Sequence, residues 1–221
     1  MKRYCVVAIL VFVMVLGAKA GIMAQEKVLI SVNMFKDVST LGETYGISFD
    51  LADEVLKKVA QVYVWGPKGA RIWVNNTLDL NDISLSAVNL TLEEFNRWFP
   101  PGTYRIDIKP MSYGSLTVSM THNFPPAPAI INPLQGAVNV STNPIILWAP
   151  VTGITSLQLQ IRDAADFVLN VDLPVNATSY AVPENLLTPN TRYDLAIRAK
   201  AIVSGRSGLT TTSRISFTTK P

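Results

Sequence analysis

Apolar and polar positions alternate with a period of two along much of the second half of the chain. Leu157, Leu159 and Ile161 alternate with Gln158, Gln160 and Arg162, the pattern of a strand with one buried face. Tyr193, Leu195, Ile197, Ala199 and Ala201 alternate likewise with Arg192, Asp194, Ala196, Arg198 and Lys200, and Ile215 and Phe217 with Arg214, Ser216 and Thr218. Further strands are predicted near Ala129–Ile131, at Ile145–Trp148 before Pro150, at Phe167–Leu173 and at Thr178–Val182. Seven short strands separated by turn residues at intervals of about ten predict a β-sandwich.

The first half gives fewer signals. Val28, Ile30 and Val32 mark an opening strand within Lys27–Phe35. Val59–Trp65 and Ala70–Asn75 flank Gly66-Pro67-Lys68-Gly69, a strand–turn–strand signal with glycine and proline where the backbone must reverse. Thr91 followed by Glu94 has the form of a capping box and opens a short helix. That helix must stop before Pro100-Pro101-Gly102, because residues preceding proline avoid helical angles. Strands follow at Gly102–Ile108 and Ser115–Thr121, while Asp50–Lys58 fits either a helical turn or a strand. The expectation is a mostly β domain with one short helix.

Phe124-Pro125-Pro126-Ala127-Pro128 carries three prolines in four positions, which favour a stiff, extended linker. It divides residues 21–125 from residues 126–221. Residues 1–20 read as a secretory signal: Lys2 and Arg3, an apolar run Val6–Leu16, then Ala18-Lys19-Ala20 as the cleavage form. A second cleavage point follows Ala24. The apolar run is shorter than the roughly 20 residues that span a bilayer.

That segment changes the charge balance. The whole chain of 221 residues carries 19 basic and 16 acidic residues, a net charge of +3. Lys2, Arg3 and Lys19 lie in the signal and no acidic residue does, so 16 basic and 16 acidic residues remain. Cys5, the single cysteine, also lies in the signal. The remaining chain is neutral and cysteine-free, so it is held by packing rather than disulfides, and no basic footprint for nucleic acid is present. A secreted or cell-surface location is expected, with no membrane span after cleavage.

Residues 128–219 resemble a fibronectin type III domain. Trp148 lies on the second predicted strand, where that family places its core tryptophan. Leu187-Thr188-Pro189-Asn190-Thr191-Arg192-Tyr193 matches the family's L-x-P-x-T-x-Y segment, and the last strand ends Ser216-Phe217-Thr218-Thr219. The resemblance implies an immunoglobulin-like sandwich in which Trp148, Leu187, Pro189 and Tyr193 are structural. The Tyr193 hydroxyl would turn back to upstream backbone in a tyrosine corner. Phe99-Pro100-Pro101-Gly102-Thr103-Tyr104 is similar to a step found in domains that precede such modules in exported bacterial proteins. The whole chain is therefore read as all-β: two β-sandwich-like domains in tandem, the first mostly β with one short helix and the second fibronectin type III-like.

Catalytic chemistry finds little support. His122 is the single histidine, and no G-x-S-x-G surrounds a serine. Asp50, Asp53 and Glu54, and Glu93 and Glu94, cluster along the sequence rather than flanking a substrate, and Glu94 serves the helix cap. Asp79-Leu80-Asn81-Asp82 offers too few oxygens for calcium, which takes six to eight. No catalytic residue, metal or cofactor is expected. Tyr63, Trp65 and Trp73 on the predicted hairpin are the candidate ligand-binding residues. Tyr63 and Trp65 are two apart and share a strand face. Exposed, that face is an aromatic platform for a glycan or a protein; otherwise it packs the core, the usual place of aromatics. Arg192, Arg198 and Lys200 share an outward strand face, where solubility is the ordinary role of such residues. The loop Ser204–Gly208 lacks Arg-Gly-Asp, so the adhesive function of related domains does not carry over. The expected function is an exported, non-catalytic binding or structural module whose partner is an extracellular protein or glycan. The alternative is a carbohydrate-binding accessory to an extracellular enzyme system.

Overall fold

Gly66-Pro67-Lys68-Gly69 reverses the chain between β3 (Gln61–Trp65) and β4 (Arg71–Asn75), with a 3-10 turn over Pro67–Gly69. The computed structural model describes residues 29–52, 61–69, 71–75, 82–109, 115–204 and 207–221. The signal segment, Asp53, Glu54, Asp79–Asn81 and the middle of the Ser204–Gly208 segment lie outside the described residues. The chain divides into two compact units. Unit 1 takes the chain up to Met34 with Tyr45–His122 and Val203–Gly208; unit 2 takes Phe35–Thr44, Asn123–Ile202 and Leu209–Pro221.

Unit 1 is built from β1 (Leu29–Ser39), β2 (Gly42–Ala52), β3, β4, β5 (Asp82–Leu90), α1 (Leu92–Trp98), β6 (Gly102–Lys109) and β7 (Ser115–Met120). The tip of the β1–β2 hairpin belongs to unit 2. Strands β1, β2 and β5 are neighbours in that order, and the other sheet runs β4-β3-β6-β7. Val32, Met34, Ile47 and Phe49 from the first of these sheets and Val62, Val64, Ile106 and Ile108 from the second are its buried apolar residues. Helix α1 starts on a complete capping box: Thr91 Oγ1 accepts from the Glu94 amide at 3.2 Å, and the Glu94 carboxylate accepts from the Thr91 amide at 2.9 Å. Phe95 is the buried residue of this helix.

Unit 2 is built from β8 (Ile130–Asn132), β9 (Ala137–Val140), β10 (Ile145–Trp148), β11 (Ser156–Arg162), β12 (Phe167–Leu173), β13 (Ser179–Ala181), β14 (Arg192–Ser204) and β15 (Ser207–Thr219). One sheet runs β13-β10-β8; the other contains β12-β11-β14-β15, with β9 parallel to β15. Its core joins Ile146, Trp148, Leu157, Leu159, Tyr193, Leu195, Ile197 and Phe217. The proline segment is tied into this unit: Pro125 and Pro128 are buried, and the Pro125 carbonyl accepts from Thr211 Oγ1 at 2.7 Å.

Counted along the chain among the described residues, with β9 set aside, each unit has seven strands in one topology. Strands five, two and one are neighbours in one sheet, and strands four, three, six and seven are neighbours in another. Each also ties a tyrosine near the start of its sixth strand to upstream backbone. Tyr104 Oη donates to the Pro100 carbonyl at 2.8 Å, and Tyr193 Oη accepts from the Thr188 amide at 2.8 Å. Burial pushes the Tyr104 phenol far above its usual range, so the hydroxyl stays a donor. Unit 1 is thus itself a sandwich, with α1 placed in the connection from its fifth strand to its sixth.

Candidate functional site

Strand β3 alternates strictly. Val62 and Val64 are buried, Gln61 and Tyr63 are half-buried, and Trp65 is 40% exposed. Because alternate side chains point to opposite faces, Tyr63 and Trp65 stand on the face away from the core. Of the two alternatives for this pair, platform or core packing, the core place is taken by Val62 and Val64. Trp73 pairs with Tyr63 in the β3–β4 ladder, and its side chain lies outside the described residues.

The outward face is completed by cross-strand neighbours. Trp65 lies opposite Arg71 on β4 and Arg105 on β6, and Tyr63 lies opposite Asp107; residues directly opposite share a face. The Tyr63 and Trp65 rings stack with centroids 6.2 Å apart and planes 15° apart. The Arg71 guanidinium sits 5.0 Å from the Trp65 ring centre, a cation–π contact that contributes about 0.5–1 kcal/mol at an exposed site. Tyr63 Oη donates to Gln61 Oε1 at 2.7 Å.

Asp107 fixes this arrangement. It accepts from Trp65 Nε1 at 2.9 Å, from Arg105 Nε at 2.7 Å and from Ser115 Oγ at 2.6 Å. Although it points outward, it is only 7% exposed, because these neighbours cover it. The Arg105 bond, helped by Ser115 and Trp65 and opposed by burial, holds the Asp107 carboxyl below the ordinary aspartate range. Its stabilising contribution is therefore present above the unfolded aspartate value, about 3.9, and is lost as pH falls through the lower folded value. The emission of Trp65, taken as wild type minus Trp65→Phe, should hold its neutral-pH spectrum down to about pH 4. A transition centred above about pH 5 would contradict the three-donor assignment.

A cavity of about 390 Å³ adjoins the aromatic face. It is lined by the Pro67–Gly69 turn, Arg71, Ile72 and the α1 end residues Arg97, Trp98 and Phe99, together with Val64 and Tyr104. Gly102 lets the turn approach: its φ is +143°, and a Cβ there would meet Pro67 Cγ at 2.6 Å. A shallow apolar hollow over Tyr63, Val64, Trp65, Arg71 and Ile72 shares three lining residues with this cavity.

The remaining chemistry is quiet. His122 meets the Asn96 carboxamide through Nδ1 at 2.8 Å and donates from Nε2 to the Phe99 carbonyl at 2.9 Å. Burial lowers its pKa, with the Phe99 bond opposing, so it serves as a neutral packing residue at neutral pH. Asp50 accepts from Asn33 and Ser48 at 3.1 Å in a polar cluster on β1 and β2. Among the described residues no group of three or more His, Cys, Asp or Glu is placed to hold a metal, and no helix is long and apolar enough to cross a membrane.

In unit 2, Trp148 is 1% exposed within the core, and Tyr193 makes its corner bond at the turn into the sixth strand. The C-terminal sandwich is fibronectin type III-like. Leu187 closes the fibronectin-like core and the Pro189 carbonyl accepts from Thr191 Oγ1 at 2.9 Å, which shapes the corner. No family model and no curated relative matches the chain. Among solved structures, it is similar to a two-domain fibronectin type III segment of chicken tenascin at 13% identity and a TM-score of 0.31, covering 89% of this chain and 95% of that one. It is similar to the FN1–FN3 domains of chicken CNTN1 at 15% identity and a TM-score of 0.33, covering 88% of this chain and 66% of that one. The BSP domain of a biofilm-associated protein gives 19% identity and a TM-score of 0.27, covering 88% of this chain and 29% of that one. The fold follows from strand order, core and corner.

The arginines of the fibronectin-like sheet are engaged along its surface. Arg198 donates to Gln158 Oε1 at 3.2 Å, Arg192 reaches Ser216 Oγ at 3.4 Å, and Arg214 pairs with Asp37 at 3.3 Å. They tie neighbouring strands together, whereas the Arg71 guanidinium of unit 1 lies over an indole.

Proposed function

We propose that the chain is an exported, non-catalytic binding or structural module acting outside the cell or at its surface, with residues 1–20 as its signal. Residues 21–125 carry the binding face, and residues 126–221 form a fibronectin-like spacer or second interaction surface. One observation carries this reading: a stacked Tyr63–Trp65 pair stands away from the core and is fixed there by a buried carboxylate. Rigid aromatic anchors of this kind supply most of the free energy of an interface at little entropic cost. A carbohydrate-binding role is favoured over protein docking by the ring pair itself, because the apolar C–H faces of sugar rings pack on flat aromatic surfaces.

Retention of the full chain on immobilised polysaccharides and on extracellular protein extracts tests the proposal. Trp65→Ala is expected to weaken retention by about 10- to 100-fold, the loss typical of a central aromatic anchor, with Trp73→Ala as the companion variant. Equal retention of wild type and Trp65→Ala would remove this face as the binding surface.

A further inference from the structure

We infer that the ligand of this face is an acidic polysaccharide, held by its anionic groups in the cavity between the Pro67–Gly69 turn and α1 while its sugar rings lie on Tyr63 and Trp65. The inference rests on the aromatic-face reading and adds the chemical class of the ligand.

Charge carries it. The cavity of about 390 Å³ is lined by three cationic residues, Lys68, Arg71 and Arg97, and by no carboxylate. Lys68 and Arg71 are exposed, as is Arg97. Further along the aromatic face stand Arg105, opposite Trp65, and Lys109, opposite Gln61. Arg105 is 61% exposed and engages Asp107 through Nε, which leaves the outer guanidinium edge pointing away from that bond. Asp107 is the one acid among the described residues of this face, and it is covered. Yet residues 21–125 carry 9 basic and 11 acidic residues, so the positive sign here is local and runs against the balance of the segment. Guanidinium groups recognise carboxylate or sulfate oxygens through paired charge-assisted hydrogen bonds. The apolar hollow over Tyr63 and Trp65 shares Val64, Arg71 and Ile72 with the cavity. One chain of sugars can therefore meet both at once. Arg71 already lies over Trp65 and Arg97 is near Glu94, but both line the cavity with Lys68, where an anionic chain would engage charge that a neutral glycan would not.

The test uses one polymer backbone in three forms: dextran, carboxymethyl-dextran and dextran sulfate, immobilised and offered to the full chain. Retention is expected on the charged forms and at least about tenfold weaker on dextran, decreasing with added salt as screened charge pairs do. A preference between the two charged forms separates carboxylate from sulfate recognition. Lys68→Gln combined with Arg97→Gln leaves the Arg71–Trp65 contact intact and is expected to reduce retention at least about fivefold. Arg192→Gln in unit 2 should leave it unchanged, and melting curves should match wild type. Equal retention on dextran, no loss in the double variant, or an equal loss in Arg192→Gln would overturn the acidic class. Trp65→Ala separates the two readings: if it alone abolishes retention, the aromatic face stands and the acidic class fails. If the double variant loses retention and Trp65→Ala does not, the platform fails.

Discussion

Trp148→Ala should destabilise the fibronectin-like sandwich by about 3–5 kcal/mol in equilibrium urea unfolding. Among the described residues Trp148 is the largest fully buried side chain, and it sits in one cluster with Ile146, Leu159, Tyr193 and Phe217. Truncating it removes the transfer free energy of the indole and leaves a cavity that paired strands collapse around poorly. The indole N–H adds a second expectation. Trp148 Nε1 is buried without a hydrogen-bond partner among the described residues, which costs about 1–3 kcal/mol. Trp148→Phe sheds that burden along with part of the ring, so it should cost clearly less than Trp148→Ala. A loss below about 1.5 kcal/mol for the alanine variant would contradict the described core.

Phe95→Ala should cost unit 1 a comparable amount, about 3–5 kcal/mol, and should alter one titration. Phe95 is 0% exposed, and its ring packs 5.6 Å from Tyr45, 6.0 Å from Phe99 and 4.7 Å from His122. It is the contact through which α1 seats on the sandwich, so its loss loosens the helix end that walls the basic cavity. His122 is the chain's single histidine, and its ring signal can be followed without assignment. Burial lowers the folded pKa; the contribution to stability is thus present above the unfolded value, about 6.5, and is lost as pH falls through the folded one. In Phe95→Ala, water reaches the ring and the pKa should rise toward the ordinary histidine value. A proton NMR titration reads this directly, and an unchanged midpoint would show that Phe95 does not shield the imidazole.

The second sandwich was largely legible because its strands alternate and its punctuation is strong. Leu157–Ile161 and Tyr193–Ala201 show their buried face in the letters alone, and Phe167–Leu173 starts and ends where the pattern places it. β15 was only partly legible. Its Ser207–Ser213 portion reads Ser-Gly-Leu-Thr-Thr-Thr-Ser and is buried throughout, so no alternation of hydrophobicity marks its two faces. Threonine's β-branched side chain suits a strand, but not visibly an interior one. β9, at Ala137–Val140, is short and pairs in parallel with β15, which local patterning does not encode.

The topology of unit 1 is less legible because the signals of β2 and β5 compete with others. Tyr45, Ile47, Phe49 and Leu51 alternate with Gly46, Ser48 and Asp50, and Ile83, Leu85 and Ala87 alternate with Ser84 and Ser86. Asp50–Lys58, which fits a helical turn as well as a strand, blurs the first pattern, and the turn-forming Asp79-Leu80-Asn81-Asp82 blurs the start of the second. Asp82 is instead the first residue of β5. With those strands restored, Tyr104 occupies in unit 1 the place that Tyr193 holds in unit 2. The aromatic pair was legible as a pair, from its spacing of two, but not its side of the sheet. Burial of Val62 and Val64 decides that, and β-branched residues next to aromatics fit either face equally well. Asp107, which fixes Trp65, was invisible in sequence because it lies 42 residues away along the chain.

Acrylamide quenching of tryptophan emission tests the central claim, an outward aromatic face on unit 1, most directly. Wild type and Trp65→Phe are compared under native conditions. An exposed Trp65 and a shielded Trp148 predict a readily quenched component in the wild type that is markedly reduced in Trp65→Phe. Identical quenching curves for the two proteins would place Trp65 inside the fold and contradict the account.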